Sequence, residues 1–131
     1  MPNKKDLRII GLMLYAGEGA KTNSNVDFIN TNSLLVKAFV LYLRKCCQID
    51  ENRLKFYLYC FEDQDVSNII NFWCSELNAK PKQFTKPYIR PVRANKRGRI
   101  SPHGVIHVRY SDKKLLSKIL KEINDTLIKY G

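Results

Sequence analysis

Hydrophobic and polar positions alternate along this chain in two different periods, and the switches between them divide it into eight elements. The first is the least amphipathic. From Ile9 to Gly17 the run Ile9-Ile10-Gly11-Leu12-Met13-Leu14-Tyr15-Ala16-Gly17 carries no polar group except the Tyr15 hydroxyl. A surface helix has a polar face, so the pattern predicts a helix over about 5 to 17 that is enclosed by protein on every side. The apolar run is far shorter than the ~20 residues that span a membrane. A second copy of the chain could complete the enclosure. Glycines at 11 and 17, with Ala16, leave room for another backbone to come close. Gly17 and Gly19 bracket Glu18, the one charge at the end of this apolar element.

The rest of the chain alternates strands and helices. Val26–Asn30 reads as a short strand with Val26 and Phe28 on one face. Thr31-Asn32-Ser33 supplies the cap for a helix of about 33 to 47, with Leu35, Ala38, Phe39, Tyr42, Leu43 and Cys46 at core spacing. Arg53 to Phe61 has the cleanest alternation: Leu54, Phe56, Leu58 and Cys60 on one side, Arg53, Lys55, Tyr57 and Tyr59 on the other. A helix over 63 to 78 follows, capped by Asp63 or Asp65, with Trp73 in its buried stripe. Residues 83 to 91 predict an edge or irregular strand, because Pro87 and Pro91 cannot donate to a ladder. Phe84, Lys86, Tyr88 and Arg90 would share one of its faces. Gly104–Tyr110 is the last strand, with Ile106, Val108 and Tyr110 inward and His107 and Arg109 outward. A helix of about 112 to 129 closes the chain and covers the sheet through Leu115, Leu116, Ile119, Leu120, Ile123 and Leu127. The order α-β-α-β-α-β-β-α predicts a single α+β domain over 1–131: a mostly antiparallel sheet, helices on one face and the other face open.

Charge adds what periodicity cannot. The chain has 23 Lys and Arg against 12 Asp and Glu, a net +11, which favours a polyanionic partner. No acid occurs between Glu76 and Asp112, and that gap holds Lys80, Lys82, Lys86, Arg90, Arg93, Lys96, Arg97, Arg99 and Arg109. The open face of the sheet is therefore expected to mix basic and aromatic side chains. Such a face suits phosphates and base edges, and it equally suits an ordinary exposed strand in which Tyr serves β-propensity. No helix here is basic on one face and apolar on the other, so a membrane surface is disfavoured. Composition at 44% hydrophobic and 11% aromatic excludes a disordered chain. Cys46, Cys47, Cys60 and Cys74 lack metal-ligand spacing and lie far from His103 and His107, which points to free thiols in a reducing, cytoplasmic setting.

Gly11-Leu12-Met13-Leu14-Tyr15-Ala16-Gly17-Glu18-Gly19 resembles the signature of the LAGLIDADG homing endonuclease family in its Gly-Glu-Gly variant. Leu12 and Met13 stand where the family's prototype has alanine and glycine. The resemblance implies that the motif helix forms a homodimer seam through Gly11, Leu12, Leu14, Tyr15 and Gly17. It implies that Glu18, with the Gly17 carbonyl, binds Mg²⁺ or another divalent cation such as Mn²⁺. It further implies a saddle-shaped sheet lying on double-stranded DNA, contacted by Lys21, Arg53, Lys55, Tyr57, Tyr59, Lys86, Tyr88, Arg90, Arg93, Lys96, Arg97, Arg99, His107 and Arg109. Family enzymes add a lysine near the attacking water; Lys55, Lys86 and Lys21 are candidates that spacing does not separate. The implied activity is metal-dependent hydrolysis of DNA phosphodiesters at a specific site. A regulator that binds DNA on the same scaffold without cutting is the alternative, and an RNA partner the third.

Either reading makes binding electrostatic. Duplex affinity is expected to fall by roughly 0.9 log unit per log unit of salt for each phosphate neutralised, and a flat salt titration would contradict the charge argument.

Overall fold

The computed structural model describes residues 3–22, 24–92 and 101–131. The elements follow the expected order: α1 (Lys4–Glu18), β1 (Val26–Asn30), α2 (Ser33–Cys46), β2 (Leu54–Phe61), α3 (Val66–Leu77), β3 (Tyr88–Arg90), β4 (Val105–Tyr110) and α4 (Lys113–Tyr130). Short 3₁₀ turns, Glu51–Arg53 and Pro81–Gln83, lead into β2 and towards β3. The four helices begin on side-chain caps, from Asn3, Asn32, Asp65 and Asp112, each accepting from a backbone N–H of the first turn.

The sheet runs β1-β4-β2-β3. β4 is antiparallel to both β1 and β2, and β3 joins the far edge parallel to β2. The fold is α+β with a mixed, mainly antiparallel sheet. Val26 and Phe28, Leu54 to Cys60 in alternate positions, and Ile106, Val108 and Tyr110 all enter one core with residues of all four helices. The opposite-facing apolar residues Ile29, Phe61 and Val105 lie outside that core, so among the described residues the helices cover one face only.

Packing corrects several expectations. α2 buries Val36 and Val40 with Phe39, Tyr42, Leu43 and Cys46, while Leu35 is exposed. β3 is three residues long because Pro87 interrupts the backbone before it, and the chain there does not keep strand parity. Phe84 packs on Phe56 of the core side, ring centroids 5.2 Å apart, whereas Tyr88 packs on Tyr59 of the open side, also at 5.2 Å. Arg53 lies in the 3₁₀ turn rather than in β2. Leu127 ends up 52% exposed because the last turns of α4 extend beyond the core.

α1 is not enclosed on every side by its own chain. Leu7, Gly11, Leu12 and Tyr15 face inward. Ile9 and Ile10 are 36% and 43% exposed, Met13 and Leu14 are half-buried, and Gly17 is exposed. Of the five residues expected at a subunit seam, Gly11, Leu12 and Tyr15 belong to the interior of one chain; Leu14 is half-buried against the core and Gly17 is exposed.

The two glycines of α1 consequently differ. A Cβ on Gly11 would sit 2.0 Å from Cγ of the fully buried Tyr42, whereas a Cβ on Gly17 would meet nothing within 4 Å. Gly11→Ala is expected to cost roughly 1–3 kcal/mol by overpacking, while in the single chain Gly17→Ala should gain up to about 1 kcal/mol through helix propensity. Chemical denaturation of the two variants checks the contrast; equal shifts would contradict it.

Candidate nucleic-acid interface

The end of α1 is fixed to the sheet by Tyr15. Its ring is fully buried beneath Gly19, where a Cβ would come within 2.4 Å of it. Its hydroxyl donates to the Ala20 carbonyl and accepts from the Asp27 N–H at 3.1 Å. Burial pushes the phenol pKa up, so the group stays neutral and can make both bonds. Ala20 N–H donates to the Asp27 carbonyl at 2.9 Å, and Gly19 bridges Phe28 in antiparallel fashion. The chain leaving α1 thus runs along the free edge of β1.

That arrangement puts Glu18, exposed, at the β1 edge of the sheet. Among the described residues no hydrogen bond or ion pair engages its carboxylate. The position is the carbonyl end of a helix, where negative charge is unfavourable and a cation is favoured. Lys21 already supplies one, its Nζ donating to the Gly19 carbonyl at 2.8 Å. Lys55 and Lys86 lie elsewhere. Lys55 is on β2, three strand spacings from Gly19, or ~14 Å at about 4.8 Å per strand, and Lys86 lies beyond it on the approach to β3. Within one chain neither joins Glu18, and Lys21 is the neighbouring lysine.

The open face carries a continuous set of polar and aromatic contacts. Asp27 on β1 stands opposite Arg109 on β4. Its Oδ2 accepts from Arg109 Nε at 3.0 Å, and its Oδ1 lies 3.0 Å from His107 Nδ1. An ionised carboxylate only accepts, so that imidazole nitrogen carries the proton. Burial alone would raise the Asp27 pKa, but the hydrogen bonds from His107 and Arg109 and the Arg109 charge outweigh burial and hold the carboxyl below its ordinary value. Burial would likewise lower the Arg109 pKa, and Asp27 reverses that. The Arg109 guanidinium lies 4.2 Å from the centroid of the Tyr57 ring. Tyr59 then contacts His107 at 4.9 Å and Tyr88 at 5.2 Å, and Arg90 lies 5.6 Å from the Tyr88 centroid. Beside this row is a shallow, mainly apolar hollow of about 280 Å³ between Ile29, Tyr59, Phe61, Val105 and His107.

Lys55, Tyr57, Tyr59, Tyr88, Arg90, His107 and Arg109 are therefore brought to one surface, and Lys86 is exposed near it. Arg53 is turned away: it bonds the Ser111 carbonyl and lies over the Tyr110 ring at 5.0 Å. Arg93, Lys96, Arg97 and Arg99 lie outside the described residues. A cleft of about 480 Å³ at the foot of β2 adds Lys80 and Lys82 to Lys55. There Arg44 is committed to Glu51 at 2.7 Å and holds that carboxyl below its ordinary pKa, so the three lysines are the cations left to an anion.

Asp27 is the residue that sequence reasoning missed. Among the described strand residues on the open side it is the only acid. Alternation did place it opposite Val26 and Phe28; only the pairing of β1 with β4 sets it against Arg109.

A carboxyl whose folded pKa is depressed adds stability that is complete above its unfolded value, here 3.8, and that disappears as pH falls through the lower folded value. The stability gap between wild type and Asp27→Asn is expected to close as pH falls below about that value. Denaturation midpoints measured against pH check this, and a gap that widened in acid would contradict the assignment.

Comparison with protein-family profiles, curated proteins and solved structures found no match for this chain.

Proposed function

We propose that the chain is a DNA-binding, metal-dependent endonuclease of the LAGLIDADG type that acts as a homodimer. One observation carries the reading: the incompletely covered apolar stripe of α1, exposed Ile10 and Gly17 with half-buried Met13 and Leu14, ends at a carboxylate with no partner among the described residues, beside the open, basic and aromatic face of the sheet. Stripe residues recur every three or four positions, the spacing of a helix–helix contact. A second copy packed there would bury the stripe and bring a second Glu18 to the first.

The donor chemistry fits a divalent cation only in that pairing. Among the described residues no three His, Cys, Asp or Glu side chains gather in one chain. Glu18 with nearby backbone carbonyls such as that of Gly17 offers hard oxygen donors, which suit Mg²⁺ or Mn²⁺, but one chain offers few of them. Two copies double the set. When bound, such a cation supplies Lewis-acid stabilisation of phosphate charge and an acidified water. The chain's own residues do the rest. Lys55, Lys86 and Arg90 attract the phosphate backbone, Tyr57, Tyr59 and Tyr88 stiffen the face, and Lys21 holds an ammonium at the carbonyl end of α1.

The test is incubation of the purified protein with a pool of duplex sites, with and without Mg²⁺. Glu18→Gln is expected to abolish cleavage and leave duplex binding intact. Leu14→Lys should sediment as a monomer and lose cleavage with it. Duplex binding without cuts, unchanged in Glu18→Gln, would overturn the nuclease and leave the DNA-binding regulator.

A further inference from the structure

We propose that Asp27 converts Arg109 from a phosphate-neutralising charge into a base-reading fork, so that Arg109 selects a guanine in the major groove of DNA. The inference rests on the open face being a duplex-binding surface, as proposed above, and names what that surface reads.

Asp27 and Arg109 are direct cross-strand partners, so their side chains leave the sheet on the same side. The ion pair engages Nε, the Tyr57 hydroxyl also acts on the guanidinium, and the remaining N–H groups of the two terminal nitrogens are open to a ligand. The Tyr57 ring packs against the guanidinium from β2, its centroid 4.2 Å away. An arginine side chain is long and loses considerable rotamer freedom when it docks. Here two neighbours have already fixed it, and its donors form a rigid fork. That fork matches O6 and N7 of guanine, two acceptors on one base edge.

Charge separates this role from phosphate contact. Asp27 is 9% exposed and sits against Arg109, so the pair is close to neutral as a unit. A compensated arginine releases few counterions and adds little to non-specific affinity. Its terminal N–H donors remain to a ligand. A carboxylate beside it also repels an approaching phosphate, while the neutral edge of a base is not repelled. Lys55 and Arg90 on the same face, and Lys86 exposed near it, have no acid partner among the described residues and have the opposite properties. Phosphate contacts set register and base contacts set sequence, and Asp27 assigns Arg109 to the second class.

Selection from a duplex pool with randomised central positions tests this. Wild type is expected to require guanine at one position per half-site. Replacing that base with 7-deazaguanine, which removes the N7 acceptor, should weaken wild-type binding about 10-fold. Arg109→Lys keeps the charge and removes the fork. It should lose the guanine preference by about 10- to 100-fold, leave other positions unchanged and be indifferent to 7-deazaguanine. Asp27→Asn should bind random duplex more tightly, with a salt slope steeper by about 0.9, and discriminate less. Asp27→Glu should restore part of the discrimination. If Arg109→Lys selects the same guanine as wild type, or if wild type binds duplex with a steep salt slope but selects no base, this inference fails while the duplex-binding reading survives. If wild type binds no duplex, both fail. Should Asp27→Asn not fold, Arg109→Lys and the base analogue still decide the matter.

Discussion

The Tyr15 hydroxyl is the contact on which the rest of this architecture depends. It lies at the point where a helix must hand over to a sheet edge, and it satisfies two backbone groups there at once, the Ala20 carbonyl and the Asp27 N–H. Both belong to segments that strand pairing alone would leave partly unmatched, because β1 is an edge strand. A buried N–H without a partner costs about 1–3 kcal/mol, so the clamp is more than a local turn. It also explains Gly19, since the Tyr15 ring occupies the space of any side chain there.

From that clamp the surface properties follow. With Tyr15, Gly11 and Leu12 turned inward, the remaining apolar residues of α1 have to face outward, and Glu18 emerges beside β1. The same clamp holds Asp27 by its backbone, which leaves the side chain of Asp27 to the open face. There the chain's positive charge is not uniform. Arg109 is tied to an acid, Arg44 is tied to another, and Arg53 is folded over Tyr110. The net +11 thus divides into cations already committed within the fold and cations free to meet an anion.

Most of the secondary structure was legible because burial imposes its period directly on the chain. The alternation of Leu54 to Phe61 needed only one wet face and one dry face to be read correctly. The order of eight elements was legible for the same reason. Less was legible where a face is set by a neighbour. Leu35 and Val36 are both apolar and adjacent, and the burial of Val36 rather than Leu35 depends on how α2 is rotated against its neighbours. Phe84 and Tyr88 looked like members of one strand face; Pro87 breaks the parity and sends them to opposite sides.

By itself the sequence determined the α+β alternation, the surplus of positive charge, the inward and outward faces of β2 and β4, and an apolar helix ending in an acid. These are properties of single segments, written in composition and period. The tertiary structure decided which segments meet. It paired β1 with β4, and so set an acid against Arg109; it put Lys55 and Lys86 across the sheet from Glu18; and it turned Gly11, Leu12 and Tyr15 of the motif helix inward. Strand order and helix rotation are fixed by the shape of the whole core, where every side chain competes for the same volume, and no local pattern carries that information.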